Sequence, residues 1–385
     1  MRGVGTLRED RLVERLRKFV RFPSQQTHLQ ERDPAIKAFI EECVAPEFQA
    51  MGLEVRYDAM GNMIVDAGPR TSERSVMFVA YAMTHPAAGM ADPFSASVID
   101  TPRGRAIRGR GVAEQKTALA AACAAIAEAA AQGELKGRLI FALTTAGETG
   151  RHDAVESVLG SIQGAPRFAV ICIGTNSRVA VGNKGRIDFD AVVKGKASHS
   201  SAPWNGVNAI SGARRLLERL EGLDLKAASH PAFGPATLTA TAIDSSPKAT
   251  HTVPDAVRIT FDRRLLPGEE PERAFAQIRA AVALEHPWQV EFRPGPVMYP
   301  NEISTDGPLF RKLAEAFDQS GHGRPEPLYC NFALDAGYFA RRGIEAVMLG
   351  PGEIDQFHSS EEHVLISDLV AMAQVYRAVI DNCLS

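Results

Sequence analysis

Acidic, imidazole and guanidinium side chains are concentrated in a few short stretches of this 385-residue chain. Gly109-Arg110-Gly111 is followed by Glu114-Gln115-Lys116, and residues 144–150 read TTAGETG around Glu148. Further on, 196–203 reads KASHSSAP around His199, 262–269 reads DRRLLPGE around Arg264, and 357–362 reads FHSSEE around His358. Carboxylates and imidazoles delivered from separate strand ends can hold a divalent ion, lower the pKa of a water and take its proton, which is what metal-assisted hydrolysis requires. An arginine fork suits a substrate carboxylate. Taken singly, each of these residues also has an ordinary structural role, as a polar loop group, a strand-end histidine or a surface arginine.

The elements that must position such groups follow from hydrophobic periodicity. Leu12, Val13, Leu16, Phe19 and Val20 recur at helical spacing, as do Ile36, Phe39, Ile40 and Val44 before Gly52, so amphipathic helices open the chain. Apolar runs at Val76–Ala82, Leu139–Thr144 and Phe168–Ile173 predict buried strands, and the Ala-rich segment from Thr117 to Gly133 predicts a helix. Strands alternating with helices imply a sheet covered on both faces. Near Arg178 the pattern changes. Arg186–Val193, Thr237–Ile243 and Val257–Arg263 alternate polar with apolar residues, and Val207–Leu220 and Glu270–Val282 predict helices, the signature of an α+β sheet with one exposed face. A helix at Pro308–Asp318, an apolar run at Glu345–Leu349 and a final helix from Ser367 to about Ile380 resume the first pattern. The expected organisation is α/β: a two-segment domain, 1–177 and 294–385, with a mixed sheet covered by helices, and an inserted α+β domain at 178–293.

A chain of 385 residues exceeds the usual single-domain size, and 45% hydrophobic with 23% charged residues is the balance of a globular protein. A net charge of −3 gives no broad attraction to nucleic acid or anionic lipid, so a small-molecule substrate is expected, with no nucleic-acid or membrane partner. Met1 to Asp10 is charged without an apolar signal core, and no apolar stretch is long enough to span a bilayer; the expectation is a cytoplasmic protein. Cys43, Cys123, Cys172, Cys330 and Cys383 are scattered, with no CxxC pair, and read as buried apolar residues rather than a disulfide framework or a zinc site.

Asp92-Pro93-Phe94 with the Arg110 and Glu114 stretch, then the Glu148 turn, then Asn183-Lys184-Gly185 with the His199 stretch and Gly206-Val207-Asn208-Ala209 run in a fixed order. Val253-Pro254-Asp255, the Arg264 stretch, and Gly350-Pro351-Gly352 with the His358 stretch complete it. This ordered set spans nearly the whole chain and resembles the di-zinc metallopeptidase and amidohydrolase family of acetylornithine deacetylase, succinyl-diaminopimelate desuccinylase, aminoacylase and carboxypeptidase G. The resemblance implies that the inserted domain serves dimerisation and acts as a lid.

The resemblance also implies two metal sites sharing a carboxylate, and here the chain departs from the pattern. Tyr81 and Ile173 stand where the first metal's ligands are expected, and Met83 replaces the Asp that would orient a ligand from behind. The second metal's positions hold Glu114, Glu148 and His358, all able to ligate. Gly147 stands where the family's proton-shuttling Glu belongs, and glycine transfers no proton. His199 matches a histidine that reaches across a dimer interface to polarise the substrate carbonyl, Arg264 matches an arginine that holds a substrate carboxylate, and His251 replaces an Asn of the substrate-positioning set. Asn208 falls in the same set, although with Asp92, Lys116 and Asp262 it also reads as structural. His85 and His152 lie close to the altered positions as replacement ligands or bases, or as polar loop residues.

The expected site is therefore catalytic His199, Tyr81 and His152, substrate-binding Arg264, His251 and Asn208, and metal-binding Glu114, Glu148 and His358. The leading expectation is a homodimeric hydrolase of C–N bonds in a small carboxylate-bearing substrate, with one divalent ion (zinc, manganese or cobalt) or none. A metal-free lyase, isomerase or acyl-transfer enzyme on the same pocket, and a catalytically inactive binding protein, stay open beside it.

Overall fold

The computed structural model describes residues 7–87, 89–225, 229–282 and 286–385, so the first six residues of the charged N-terminal stretch lie outside it. The chain divides into two compact units: Met1–Gly182 with Glu302–Leu328 and Tyr338–Ser385, and Asn183–Asn301 with Tyr329–Gly337.

In the first unit a mixed sheet runs in the order Val55–Tyr57, Met63–Ala67, Arg138–Thr144, Ser75–Tyr81, Phe168–Cys172, Glu345–Leu349 and Val179–Asn183. Its four middle strands, from Arg138–Thr144 to Glu345–Leu349, are mutually parallel. Ser75–Tyr81, Arg138–Thr144 and Phe168–Cys172 are buried at every residue, as continuous apolar runs in a doubly covered parallel sheet should be. The Ala-rich helix forms as expected, over Thr117–Ala131, and is buried without a break from Thr117 to Ala127. It packs against the closing helix Ile366–Leu384 and the sheet, and alanine is what lets backbones approach that closely. A separate antiparallel sheet of Ser97–Thr101, Gly104–Arg108 and His363–Leu365 ties the C-terminal segment to the loop that follows Arg108.

The second unit holds an antiparallel sheet ordered Thr237–Ser246, Ala256–Leu265, Gly185–Lys194 and Gln289–Met298. Ile187, Phe189, Ile259 and Phe261 alternate onto one face, where they meet Leu216 of the helix Ala209–Glu221 and Ile278 of the helix Pro271–Ala281. The boundaries differ from the sequence expectation. Val179–Asn183 still belongs to the first sheet, through the Met348–Ala180 pairing, so the second unit opens at Asn183 rather than Arg178. At the other end Gln289–Met298 pairs with Gly185–Lys194, carrying that unit past 293 to Asn301. The opening hairpin of Val55–Tyr57 and Met63–Ala67 was not legible, because such short strands carry too few residues for a period to show. No helix among the described residues is long and apolar enough to cross a membrane.

Overpacking the Ala-rich helix should be costly. Ala121→Leu is expected to lower stability by about 1–3 kcal/mol, read as a reduced midpoint in denaturant titration, whereas the same change at exposed Ala131 should be nearly neutral.

Candidate functional site

The segments that follow the four parallel strands supply His85, Glu148, Ile173 and His358, so chemistry collects at the carboxyl ends of the sheet, where open α/β sheets place their sites. Glu114 arrives differently, on the turn Val112–Lys116 ahead of the Ala-rich helix. Glu362 fixes that turn. Its carboxylate accepts from the backbone N–H of Gly111 at 2.9 Å, Ala113 at 2.9 Å and Glu114 at 3.4 Å, and pairs with Arg110 Nη1 at 3.0 Å. Burial pushes the Glu362 carboxyl above the usual range even against these donors. Lys116, fully buried, donates to the Phe19 and Phe22 carbonyls at 2.9 and 2.8 Å and so closes the end of the helix Glu9–Arg21. Desolvation brings it down to about 7, and its role is structural, as the sequence suggested.

Glu114, Glu148 and His358 converge: one donor atom from each lies within 4.8 Å of the others. His358 Nε2 sits 3.3 Å from Glu114 Oε2 and 3.7 Å from Glu148 Oε2. It reaches them from a left-handed backbone conformation, φ 61°, which a non-glycine residue adopts at a cost. Glu148 is held from behind by Gln26, which donates to its carbonyl at 3.1 Å, and by Gln115, which donates to Oε1 at 3.4 Å. The hydrogen bonds to Glu114 and then Glu148 push His358 up to about 10, and burial pushes Glu114 up to about 7. The imidazole between two carboxylates is the member of this group that keeps the shared proton. An oxygen, oxygen, nitrogen donor set in that geometry fits one divalent ion.

His85 lies flat on His358, with ring centroids 3.8 Å apart and planes 16° from parallel. This arrangement excludes His85 as a ligand of the same ion, because imidazole lone pairs lie in the ring plane and the planes are stacked. The His85 Nδ1 lies 3.0 Å from the Pro86 carbonyl, an acceptor, so Nδ1 carries the proton and Nε2 keeps its lone pair. Burial, and then the charge on His358, lower its pKa.

Among the described residues no second group of potential ligands accompanies this one. Tyr81 and Ile173 are each 2% exposed, and Met83 is fully buried, so apolar and phenolic groups fill the places where further ligands would stand. The missing base is likewise closed off rather than merely truncated. A Cβ at Gly147 would collide with the Met83 carbonyl oxygen and lie 3.2 Å from Gln115 Nε2.

The other expected residues are distributed as follows. Tyr81 ends its strand inside the core, and His152, read from the sequence as a catalytic or polar loop residue, is buried at the start of the helix Asp153–Ser161 with its ring against Tyr338. In the second unit His199 is exposed on the short strand Ser198–His199, with the His251 ring 6.0 Å away. Arg264 already forks onto Asp262 at 2.8 and 2.9 Å, so a substrate carboxylate would compete with that pair. Asn208 caps a helix, its Oδ1 accepting from Ile210 N at 2.9 Å, the structural role that the sequence also offered for it. The sequence reading passed over Glu362 and Gln115 as motif neighbours; only the fold shows that one holds the ligand turn and the other a ligand.

Comparison with known proteins agrees with this geometry. The profile of peptidase family M20/M25/M40 matches residues 84–382. An acetylornithine deacetylase of Myxococcus xanthus is 32% identical over 286 residues, covering 71% of this chain and 72% of that protein. A succinyl-diaminopimelate desuccinylase of Dinoroseobacter shibae is 24% identical, over 84% of this chain and 87% of its own. Among solved structures, the aminopeptidase PepT of Bacillus cereus superposes with a TM-score of 0.77 at 19% identity, covering 99% of this chain and 100% of that one. The metallo-carboxypeptidase Sso-CP2 of Sulfolobus solfataricus gives 0.77 at 16%, covering 97% and 99%.

Because position 147 has no room for a side chain, Gly147→Glu is expected to destabilise by about 1–3 kcal/mol and to bring no gain in hydrolysis. A thermal melt equal to wild type, together with faster turnover, would show that the Met83 loop yields.

Proposed function

The chain belongs to peptidase family M20/M25/M40, a family of amide and peptide hydrolases, and from that premise we propose that it hydrolyses the amide of a small carboxylate-bearing substrate with a single divalent ion. The convergence of Glu114, Glu148 and His358 carries this reading. A divalent ion held by these three would supply Lewis-acid polarisation of the scissile carbonyl and a water of lowered pKa. The chain's own residues do the rest. Glu362 and Arg110 hold the Glu114 turn in place, and Gln115 and Gln26 orient Glu148. With position 147 closed, the free lone pair of His85 Nε2 beside the cluster is the proton acceptor we assign, in place of Tyr81 or His152. His199 of a second copy is the donor we assign to the carbonyl oxygen, and Arg264, released from Asp262, is the group we assign to a substrate carboxylate. The named relatives are amide hydrolases, so the lyase, isomerase and binding-protein alternatives gain nothing from them.

We also infer a homodimer formed through the second unit. Its edge strand Thr237–Ser246 is exposed along most of its length, leaves Ile243 59% exposed and offers an open hydrogen-bonding edge to a second copy. A reducing compartment such as the cytoplasm suits the five cysteines, which are all buried and form no disulfide.

Elemental analysis of protein purified without added metal or chelator is expected to return one divalent ion per chain at most. Glu148→Ala or His358→Ala should release it, and Tyr81→Phe should not. With His85 as the base, His85→Ala should slow hydrolysis of N-acetyl-L-ornithine and similar N-acyl amino acids ~10²–10⁴-fold. Two tightly held ions would overturn the single-ion reading, and unchanged turnover in His85→Ala would overturn the assignment of the base. A monomer by light scattering at micromolar concentration would remove the dimer.

A further inference from the structure

The second unit carries a device that sets which nitrogen of His199 holds its proton. His199 and Ala202 close a turn, the Ala202 N–H donating to the His199 carbonyl at 2.9 Å, and this places Ser201 beside the ring. Two groups of Ser201 reach the same nitrogen: its hydroxyl lies 2.8 Å from Nδ1 and its backbone N–H donates to Nδ1 at 3.2 Å. A hydroxyl can donate or accept, so by itself it would leave the tautomer open. A backbone N–H only donates. With that N–H aimed at it, a protonated Nδ1 would set hydrogen against hydrogen, so Nδ1 must present its lone pair. Where a carbonyl faces Nδ1 the opposite holds, as at His363, whose Nδ1 lies 2.8 Å from the Glu361 carbonyl.

We propose that Ser201 is a positioning residue that locks His199 as the Nε2–H tautomer, so that the exposed tip of the ring is a neutral N–H donor for a carbonyl or carboxylate oxygen. The proposal rests on the reading of His199 as the group that polarises the substrate carbonyl, since only a protonated Nε2 can donate there. The strand pairing of His199 with Thr252 fixes the backbone from which the ring projects, and the Ser200 N–H donates to the His251 carbonyl at 2.9 Å, securing the turn from its other side. The backbone N–H of Ser201 thus sets which nitrogen holds the proton, and the Ser201 hydroxyl, turned to donate to the same lone pair, strengthens that choice and holds the ring in place. Neither the ion site nor any side chain of the first unit is needed for this.

The test is a long-range proton–nitrogen NMR correlation on the full chain labelled with ¹⁵N-histidine, with the His199 signals identified by their loss in His199→Gln. At neutral pH the wild type should show a protonated Nε2 and an unprotonated Nδ1. Ser201→Thr should keep that pattern, while Ser201→Ala should shift the Nδ1 signal as its hydroxyl donor is lost. With N-acetyl-L-ornithine as probe, Ser201→Ala should lower kcat about tenfold with KM little changed, and Ser201→Thr should restore it. A protonated Nδ1 in the wild type overturns the proposal whatever the kinetics. The expected tautomer with unaltered kcat in Ser201→Ala overturns the positioning role. The expected tautomer and Ser201→Ala shift, with no hydrolysis by any form, would support the lock while sinking the hydrolase reading on which its purpose rests.

Discussion

Glu362 joins two parts of the chain that the sequence keeps far apart. It follows the His358 turn directly, yet it accepts from the Gly111, Ala113 and Glu114 N–H groups and pairs with Arg110, so the His358 turn and the Glu114 turn are positioned by one carboxylate. Both partners of the ion pair are 1% exposed, and breaking a buried pair on one side generally costs about 3–5 kcal/mol, because the other charge is left without compensation. The adjoining antiparallel strands Gly104–Arg108 and His363–Leu365 work to the same end, holding the backbones in register just before and after these turns. Without this junction Glu114 and His358 would have no reason to meet.

That constraint bears unevenly on the site. Glu114 and His358, which depend on Glu362, are possible ligands, whereas the ends of Ser75–Tyr81 and Phe168–Cys172 carry buried phenolic and apolar side chains. The change is more than a swap of side chains, since the backbone has settled onto Gly147 and Gln115 occupies space beside it. Gln115 is a physical answer to a lone Glu148: it supplies an N–H donor to the carboxylate where a second carboxylate would have repelled it. Among the described residues this is the one group of side chains placed to share a divalent ion.

How much of this was legible in the sequence depended on the range of the signal. Buried strands and the Ala-rich helix announce themselves because their period is local and their composition extreme, and Thr117–Ala131 and Glu345–Leu349 came out nearly as expected. Domain boundaries were less visible: Val179–Asn183 and Gln289–Met298 look alike as short apolar strands, and only their pairing partners assign one to each unit. At the site, ordered motifs brought out Glu114, Glu148 and His358 together, while His85 could not be raised above His152 from sequence alone. Both are lone histidines near altered positions. What separates them is that His85 lies on the His358 ring, whereas His152 is enclosed beside Tyr338, and ring stacking between residues so distant in sequence leaves no local trace.

Two histidines show how far backbone alone determines side-chain chemistry. At His85 a carbonyl faces Nδ1, which puts the proton there and leaves Nε2 as an acceptor; at His199 an N–H faces Nδ1, which puts the proton on Nε2 and makes it a donor. The same side chain is thus presented as an acceptor in one place and as a donor in the other, without any charged neighbour having to distinguish them. In each case the determinant lies within two residues of the histidine, in a proline carbonyl and in a serine two places on. Such determinants sit outside a list of ligands and bases, because they are set by the local course of the backbone rather than by the side chains that do chemistry.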